Sequence, residues 1–253
     1  MEPSQNKPRV NLIMSIKPCF KRVLIKLSGE ALCGEQGFGF SAAATAKIAE
    51  AIQKAHAAAI EIAIVVGGGN IFRGSLAEEF NFKRTPADHI GMLSTTINGL
   101  ALEQALANLG CKTHIMSAFN CAPIIENYNW HKAMDLLKDG VILIFVGGTG
   151  NPYFTTDSAA ALKACEIEAD ILLKATKVDG VYSDDPKKNP NAVKSDRLTY
   201  NEILSGQLGV MDATAVALCR DNNLPIYVFN IFTTGSLNSA IFEKSGGTLI
   251  SGD

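Results

Sequence analysis

Apolar and polar positions along the chain alternate between two periods. Short β-branched or apolar runs have the length and composition of buried strands: residues 21–27, 60–66, 113–116, 141–146, 170–175 and 225–230. Between them lie stretches of good helix formers at helical spacing. These are 41–59, where Ser41 is placed to cap, 88–108, which closes at Gly110, 128–138, a helix opening near Thr155, and 212–220. Thr199-x-x-Glu202 is a capping box that starts another helix. Residues 176–196 read as a polar loop and 248–250 as an edge strand. Regular β–α alternation predicts an α/β fold, a three-layer sandwich. Its central sheet is mostly parallel, with 141–146 as the central strand, and helices cover both faces. No repeat or flexible linker divides the chain, so 21–253 reads as a single domain behind a partly disordered extension, 1–20.

Ligands of such sheets bind at the carboxyl ends of the strands. Three strands here end in glycine-rich turns, which that topology would crowd onto one edge: Ser28-Gly29-Glu30, Gly67-Gly68-Gly69-Asn70-Ile71-Phe72-Arg73-Gly74, and the stretch from Val146-Gly147-Gly148-Thr149-Gly150 to Asp157. One such turn is equally explained by the positive φ that glycine permits; three on one edge favour an anion held by backbone N–H groups near a helix start. Lys26, at the end of the first strand, could neutralise a transferring phosphoryl group or simply snorkel to solvent. Arg73 supplies a planar fork suited to phosphate oxygens. Neither G-x-x-x-x-G-K-[ST] nor a G-x-G-x-x-G after the first strand is present, which excludes the P-loop and dinucleotide-binding classes.

Composition narrows the classes further. A formal charge of −2 leaves no basic excess, so nucleic acid is not expected as a main partner. Hydrophobic residues make up 47% of the chain, which places it among globular proteins. No apolar run approaches the roughly 20 residues of a membrane span. The Asn11-Leu12-Ile13-Met14 patch is too short for a signal peptide, so a cytoplasmic location is expected. The six cysteines are scattered without a C-x-x-C pair and read as reduced. The four histidines have no metal-ligand spacing. Catalysis by a histidine or cysteine nucleophile is not expected.

Five motifs, in order, carry a resemblance over residues 20–252: Lys26-Leu27-Ser28-Gly29-Glu30-Ala31-Leu32, Gly67 to Gly74, Asp88-His89-Ile90-Gly91-Met92-Leu93, Thr149 to Asp157, and Lys174-Ala175-Thr176-Lys177-Val178-Asp179-Gly180-Val181. The chain resembles the amino acid kinase superfamily and, within it, the bacterial-type UMP kinases. That resemblance implies the reaction UMP + ATP → UDP + ADP with Mg²⁺ accompanying ATP, in pyrimidine nucleotide biosynthesis. It implies UMP binding by the N-terminal part and ATP binding by the C-terminal part. It assigns catalysis to Lys26, Arg73, Asp157 and Asp212. It assigns ATP contacts to Lys26, Leu27, Ser28, Gly29, Gly69, Arg73, Thr176, Tyr182 and Asp185. UMP contacts fall to Gly68, Asp88, Thr149, Gly150, Asn151, Pro152, Tyr153, Phe154, Thr155 and Thr156, with Asp88 holding the ribose hydroxyls. The loop Gly34-Glu35-Gln36-Gly37-Phe38-Gly39 matches a GTP-activation region. Against GTP, Glu103 and Ala107 stand where some members carry basic residues, so UTP inhibition at the UMP site is the expectation. A homo-oligomer, a hexamer, is implied.

The residues themselves leave alternatives. Asp157, Asp88 (after Pro86-Ala87) and Asp212 could each cap a helix. Tyr182 could be a surface aromatic, and Asp170, opening a strand, structural. The acceptor phosphate has a second pKa of about 6, so no general base is required; charge cancellation and in-line positioning are. A relative acting on a carboxylate or carbamate would be ill served by the acidic Asp88. A non-catalytic uridine-nucleotide sensor predicts loss of Lys26, Arg73 and Asp157, all of which are present.

Overall fold

The computed structural model describes residues 18–184, 188–189, 191–206 and 208–252. The chain enters the sheet as β1 (Arg22–Leu27), makes the single turn α1 (Glu30–Cys33), and continues as α2 (Ala42–His56). Ser41 caps α2 by accepting the Ala44 N–H, as expected. Next come β2 (Glu61–Val66), α3 (Gly74–Glu79) and the 25-residue α4 (Arg84–Asn108). β3 (Thr113–Ser117), β4 (Glu126–Asn127), α5 (Trp130–Lys138) and β5 (Ile142–Val146) follow. Beyond them lie α6 (Thr156–Glu166), β6 (Ile171–Thr176), a ribbon of β7 (Val181–Tyr182) and β8 (Lys194–Ser195), and β9 (Arg197–Thr199). The chain ends through α7 (Tyr200–Ser205), α8 (Ala213–Asp221), β10 (Ile226–Asn230), α9 (Ser236–Phe242) and β11 (Gly247–Ser251). The Thr199/Glu202 capping box at α7 is formed in both directions.

The sheet runs β4-β3-β5-β2-β1-β6-β10-β11-β9, and every pairing is parallel except β10 with β11. β1, not residues 141–146, takes the middle: the chain builds outward from β1 through β2 to β5 and β3, then crosses back to add β6 on the other side. Order in sequence therefore does not give order in space. β11 is not an edge strand either, because β9 covers its free side. The reversal at β1–β6 is a topological switch point, where the strands' carboxyl ends open a crevice.

Strand side chains alternate between two cores. Val23, Ile25 and Leu27 join α1, α2, α4 and α9 on one face. Leu24, Ala63, Val65 and Leu172 join α5 to α8 on the other. Helices thus sandwich the sheet, as the alternation predicts. α4 starts at Arg84 rather than at Asp88. Pro86 sits in its first turn, where an N–H has no helical partner to lose. Residues 1–17 of the expected extension lie outside the described residues. Cys19 already donates its N–H to the Ile241 carbonyl, and Phe20 is buried in the first core. α3, α9 and the β7–β8 ribbon have no counterpart in the sequence reading.

Candidate active site

Lys26 and Lys174 are direct register partners on β1 and β6. Each falls two residues after a core residue, Leu24 or Leu172, that faces α6, so both ammonium groups emerge on the α6 side. Thr155 caps α6, accepting the Asp157 and Ser158 N–H groups at 3.0 and 3.3 Å. That leaves the Asp157 carboxylate free of capping duty, and it turns towards the strands. Lys26 Nζ lies 2.7 Å from Oδ1, and Lys174 Nζ donates to Oδ2 at 2.5 Å. The three side chains are only 12–13% exposed. Burial pushes the Asp157 carboxyl up, but Lys26 and Lys174 together outweigh it and hold it below the ordinary carboxylate range. Burial, joined by repulsion from Lys26, holds the Lys174 ammonium below its ordinary value despite the attraction of Asp157. Two ammonium groups against one carboxylate leave a net positive charge at the switch point, beside the amino end of α6. Lys174 opens the last of the five motifs, but nothing in that motif marks it as part of a site; the strand register does.

Asp212 realises its capping alternative. It caps α8 through the Ala215 N–H at 2.9 Å, accepts the Ser158 hydroxyl at 3.0 Å, and takes the Thr155 hydroxyl on its other oxygen. It thereby locks the start of α6 to α8. Asp88 does not cap, since it lies in the second turn of α4. Asp170 is structural: its carboxylate accepts the Lys21 and Arg22 N–H groups.

Next to the lysine cluster is a cavity of about 610 Å³ between the β2 turn, α3, the first turns of α4 and the loop before α6. Gly68 and Gly69 form one wall, and Thr149, Asn151, Phe154, Thr155 and Thr156 another. A Cβ on Gly68 would sit 2.7 Å from Ser94 Cβ and 2.8 Å from the Gly91 carbonyl oxygen. Only glycine lets this turn lie so close to α4. Asp88 also lines the cavity; Arg84, one helical turn earlier, donates Nε to both of its oxygens at 2.9 and 2.7 Å. Asp88 Oδ2 further accepts the Tyr153 N–H at 2.7 Å. Tyr153 is held at φ 72°, an uncommon region for a bulky residue. Gly150, Pro152 and Tyr153 belong to the loop but do not line the cavity. Arg84 was missed in sequence, its only signal being helical spacing to Asp88.

The turns are fastened from below. The buried side chains of Asn70 and Asn98 exchange hydrogen bonds at 3.0 and 2.6 Å, and Asn98 also donates to the Gly67 carbonyl at 2.6 Å. Gly29 packs directly on this pair. Asn70 also holds the 34–39 loop, through bonds to and from Gly39. Ser28 Oγ accepts the Glu30 N–H, while the Leu27 side chain is core and offers only backbone to the edge. Arg73 donates Nε to the Gly69 carbonyl and pairs with Glu30. The Thr176 hydroxyl shapes the turn after β6 by bonding to both backbone groups of Val178. Tyr182 lies on the ribbon, bonded to Asp179. Asp185 lies outside the described residues. Among the described residues no group of three His, Cys, Asp or Glu is placed to hold a metal ion.

A lysine–carboxylate–lysine cluster at a switch point, beside a cavity walled by glycine turns, defines an α/β protein built to receive anionic ligands without a P-loop. The chain belongs to the amino acid kinase family, whose model matches residues 21–230. It is 53% identical over 232 residues to a uridylate kinase of Protochlamydia amoebophila (strain UWE25), covering 91% of this chain and 92% of that protein. Among solved structures, it resembles the UMP kinase from Bacillus anthracis, with a TM-score of 0.89 and 41% identity, covering 92% of this chain and 97% of the other. The UMP kinase from Ureaplasma parvum gives a TM-score of 0.87 and 41% identity over 91% and 98% of the two chains.

Proposed function

We propose that the protein transfers the terminal phosphoryl group of ATP to UMP, releasing UDP and ADP. The observation that carries this reading is the Lys26–Asp157–Lys174 cluster set against a nucleotide-sized cavity. UMP lies in the cavity with its ribose at Asp88 and its uracil against the Phe154–Thr156 segment. Its phosphate lies along the Gly68–Gly69 turn towards Arg73. ATP approaches from the β6 side, along Ser28–Gly29 and the Thr176–Tyr182 turn. The phosphoryl group in flight meets Lys26 and Lys174, whose positions Asp157 fixes, and glycine-turn amides complete the charge cancellation. The acceptor phosphate is itself the nucleophile, so no side chain takes a proton. Asp212 acts here through Thr155 and Ser158, as a positioning residue rather than a group touching substrate.

Mg²⁺ would be held chiefly by the phosphates of ATP. The nearby carboxylates do not form a cage for it, since Asp157 and Asp212 already have partners. When bound it would supply charge neutralisation for the transferring phosphoryl group.

Assembly as a homohexamer is part of the proposal, supported by the exposed apolar residues Leu93 and Ile97 on α4. So are UTP inhibition at the cavity, a cytoplasmic location and a role in pyrimidine nucleotide supply. Among the described residues no helix is long and apolar enough to cross a membrane.

The test is ADP release with MgATP and UMP, CMP, acetylglutamate or no acceptor. Turnover with UMP supports the reading, and turnover only with a carboxylate acceptor sinks it. GTP titration of the same assay decides between the 34–39 loop, which favours activation, and Glu103, which opposes it.

A further inference from the structure

Glu30 puts a carboxylate on the edge where phosphates are expected to bind. It is the first residue of α1, directly after the Ser28–Gly29 turn. The sheet order β2-β1-β6 puts it between the turn after β2 and the turn after β6. Each neighbouring turn sends a cation to it. Arg73 Nη2 lies 2.9 Å from one carboxylate oxygen, and Lys177 Nζ lies 3.0 Å from the other. The two oxygens of one carboxylate thus bridge a cation from the UMP side and a cation from the ATP side. This is the spacing two phosphate oxygens would present. The hydrogen bond from Lys177, then the charges of Lys177 and Arg73, hold the Glu30 carboxyl below its ordinary value despite partial burial, so it stays an anion throughout the neutral range. All three side chains are one-third to one-half exposed, within reach of a ligand entering the crevice. A stabilising surface network has no need to draw its cations from turns on both sides of the switch point. A device that sets how tightly phosphates are gripped does.

We propose that Glu30 is an internal competitor for the substrate phosphates. Its carboxylate engages Arg73 and Lys177 in a phosphate-like geometry, and incoming nucleotide phosphates must displace it to reach them. The competition weakens ground-state binding, which a kinase needs if charged products are to leave. The proposal rests on the phosphoryl-transfer reading above.

Glu30→Gln keeps the shape and removes the charge. Losing two half-exposed ion pairs from the competing side should tighten binding by about threefold to tenfold. The readouts are the calorimetric Kd of inorganic tripolyphosphate and the KM for UMP and for MgATP. All three should fall, while kcat stays level or falls through slower product release. Glu30→Asp, which keeps the charge but cannot span both cations, should give a smaller shift in the same direction. It also serves if the glutamine variant melts early. An unchanged or weaker tripolyphosphate Kd overturns the proposal. So does a KM for MgATP that rises and is restored by excess Mg²⁺, which would make Glu30 a helper of the metal instead. If the wild type fails to turn over UMP yet Glu30→Gln still grips tripolyphosphate more tightly, the functional reading fails and this inference stands. If the wild type turns over UMP and the variant's Kd is unchanged, the reverse holds.

Discussion

Replacing Lys174 by methionine keeps the length of the side chain and removes its charge. The ammonium lies 2.5 Å from Asp157 Oδ2, and the pair is almost closed to solvent. Asp157 is not orphaned by the change, because Lys26 remains 2.7 Å from its other oxygen. Burial already disfavours the charged form of Lys174, which offsets part of the attraction that is lost. The stability cost should therefore be about 1–2 kcal/mol, below the roughly 3–5 kcal/mol of stranding an unpaired buried charge. Transition-state stabilisation is affected far more. The net charge of the Lys26–Asp157–Lys174 cluster drops from one positive to zero. One unit charge at about 4 Å is worth about 4 kcal/mol at an effective dielectric of 20, and single electrostatic donors at such centres commonly account for about 10²–10³ in kcat. The assay is steady-state ADP release with MgATP and UMP, alongside calorimetric UMP binding and a thermal melt. The expected outcome is a kcat lower by about 10²–10³, with the UMP Kd changed by less than about threefold and the protein still folded. A kcat loss below about tenfold would refute the reasoning. So would a loss of UMP affinity parallel to the loss of kcat, since the lysine would then be serving uniform binding.

Other expectations follow from the same geometry. Gly68→Ala pushes a methyl into Ser94 and the Gly91 carbonyl; it should cost about 1–3 kcal/mol of stability and raise the KM for UMP more than it lowers kcat, whereas Gly69→Ala, with open space around it, should be stable, and equal melts for the two would count against the close-packing argument. Asn98→Leu leaves the Gly67 carbonyl and the Asn70 side-chain oxygen without their buried donor; a loss of about 1–3 kcal/mol should appear as a lower urea midpoint at unchanged m. The Asp157 carboxyl lies below its ordinary 3.8, so its contribution to stability is complete above that pH and fades only as pH falls through the lower native value. The acid limb of kcat/KM should instead follow the acceptor phosphate, near pH 6 (about its second pKa). A limb near pH 4, or one unmoved by an acceptor of different phosphate pKa, would assign it to the enzyme.

What the sequence makes legible is local, and what it hides is register. Ser41, Thr199 and Glu202 announce helix starts because capping needs only residues three apart, and all three are found doing so. The glycine turns and Lys26 were legible because a buried strand ending in such a turn points at the ligand edge of any parallel sheet. Asp88 was read one turn out because Pro86 marks a boundary in sequence, yet is harmless inside a first turn. The short α3 and α9 and the two-residue strands of the ribbon have too few residues to show a period. Lys174 was missed for a deeper reason. Its strand is an apolar run like the others, and a lysine near its end carries no sign of its own. It becomes a candidate catalytic group only when β6 pairs with β1 in the one register that sets Lys174 beside Lys26. A slip of one residue would turn it to the opposite core, away from Asp157. The pairing is fixed by the apolar alternation of both strands over their whole length: Ile171, Leu173 and Ala175 fill one core while Leu172 fills the other. The same packing that folds the sheet thus builds the two-lysine site, and its chemistry is written in a register that no single stretch of the chain contains.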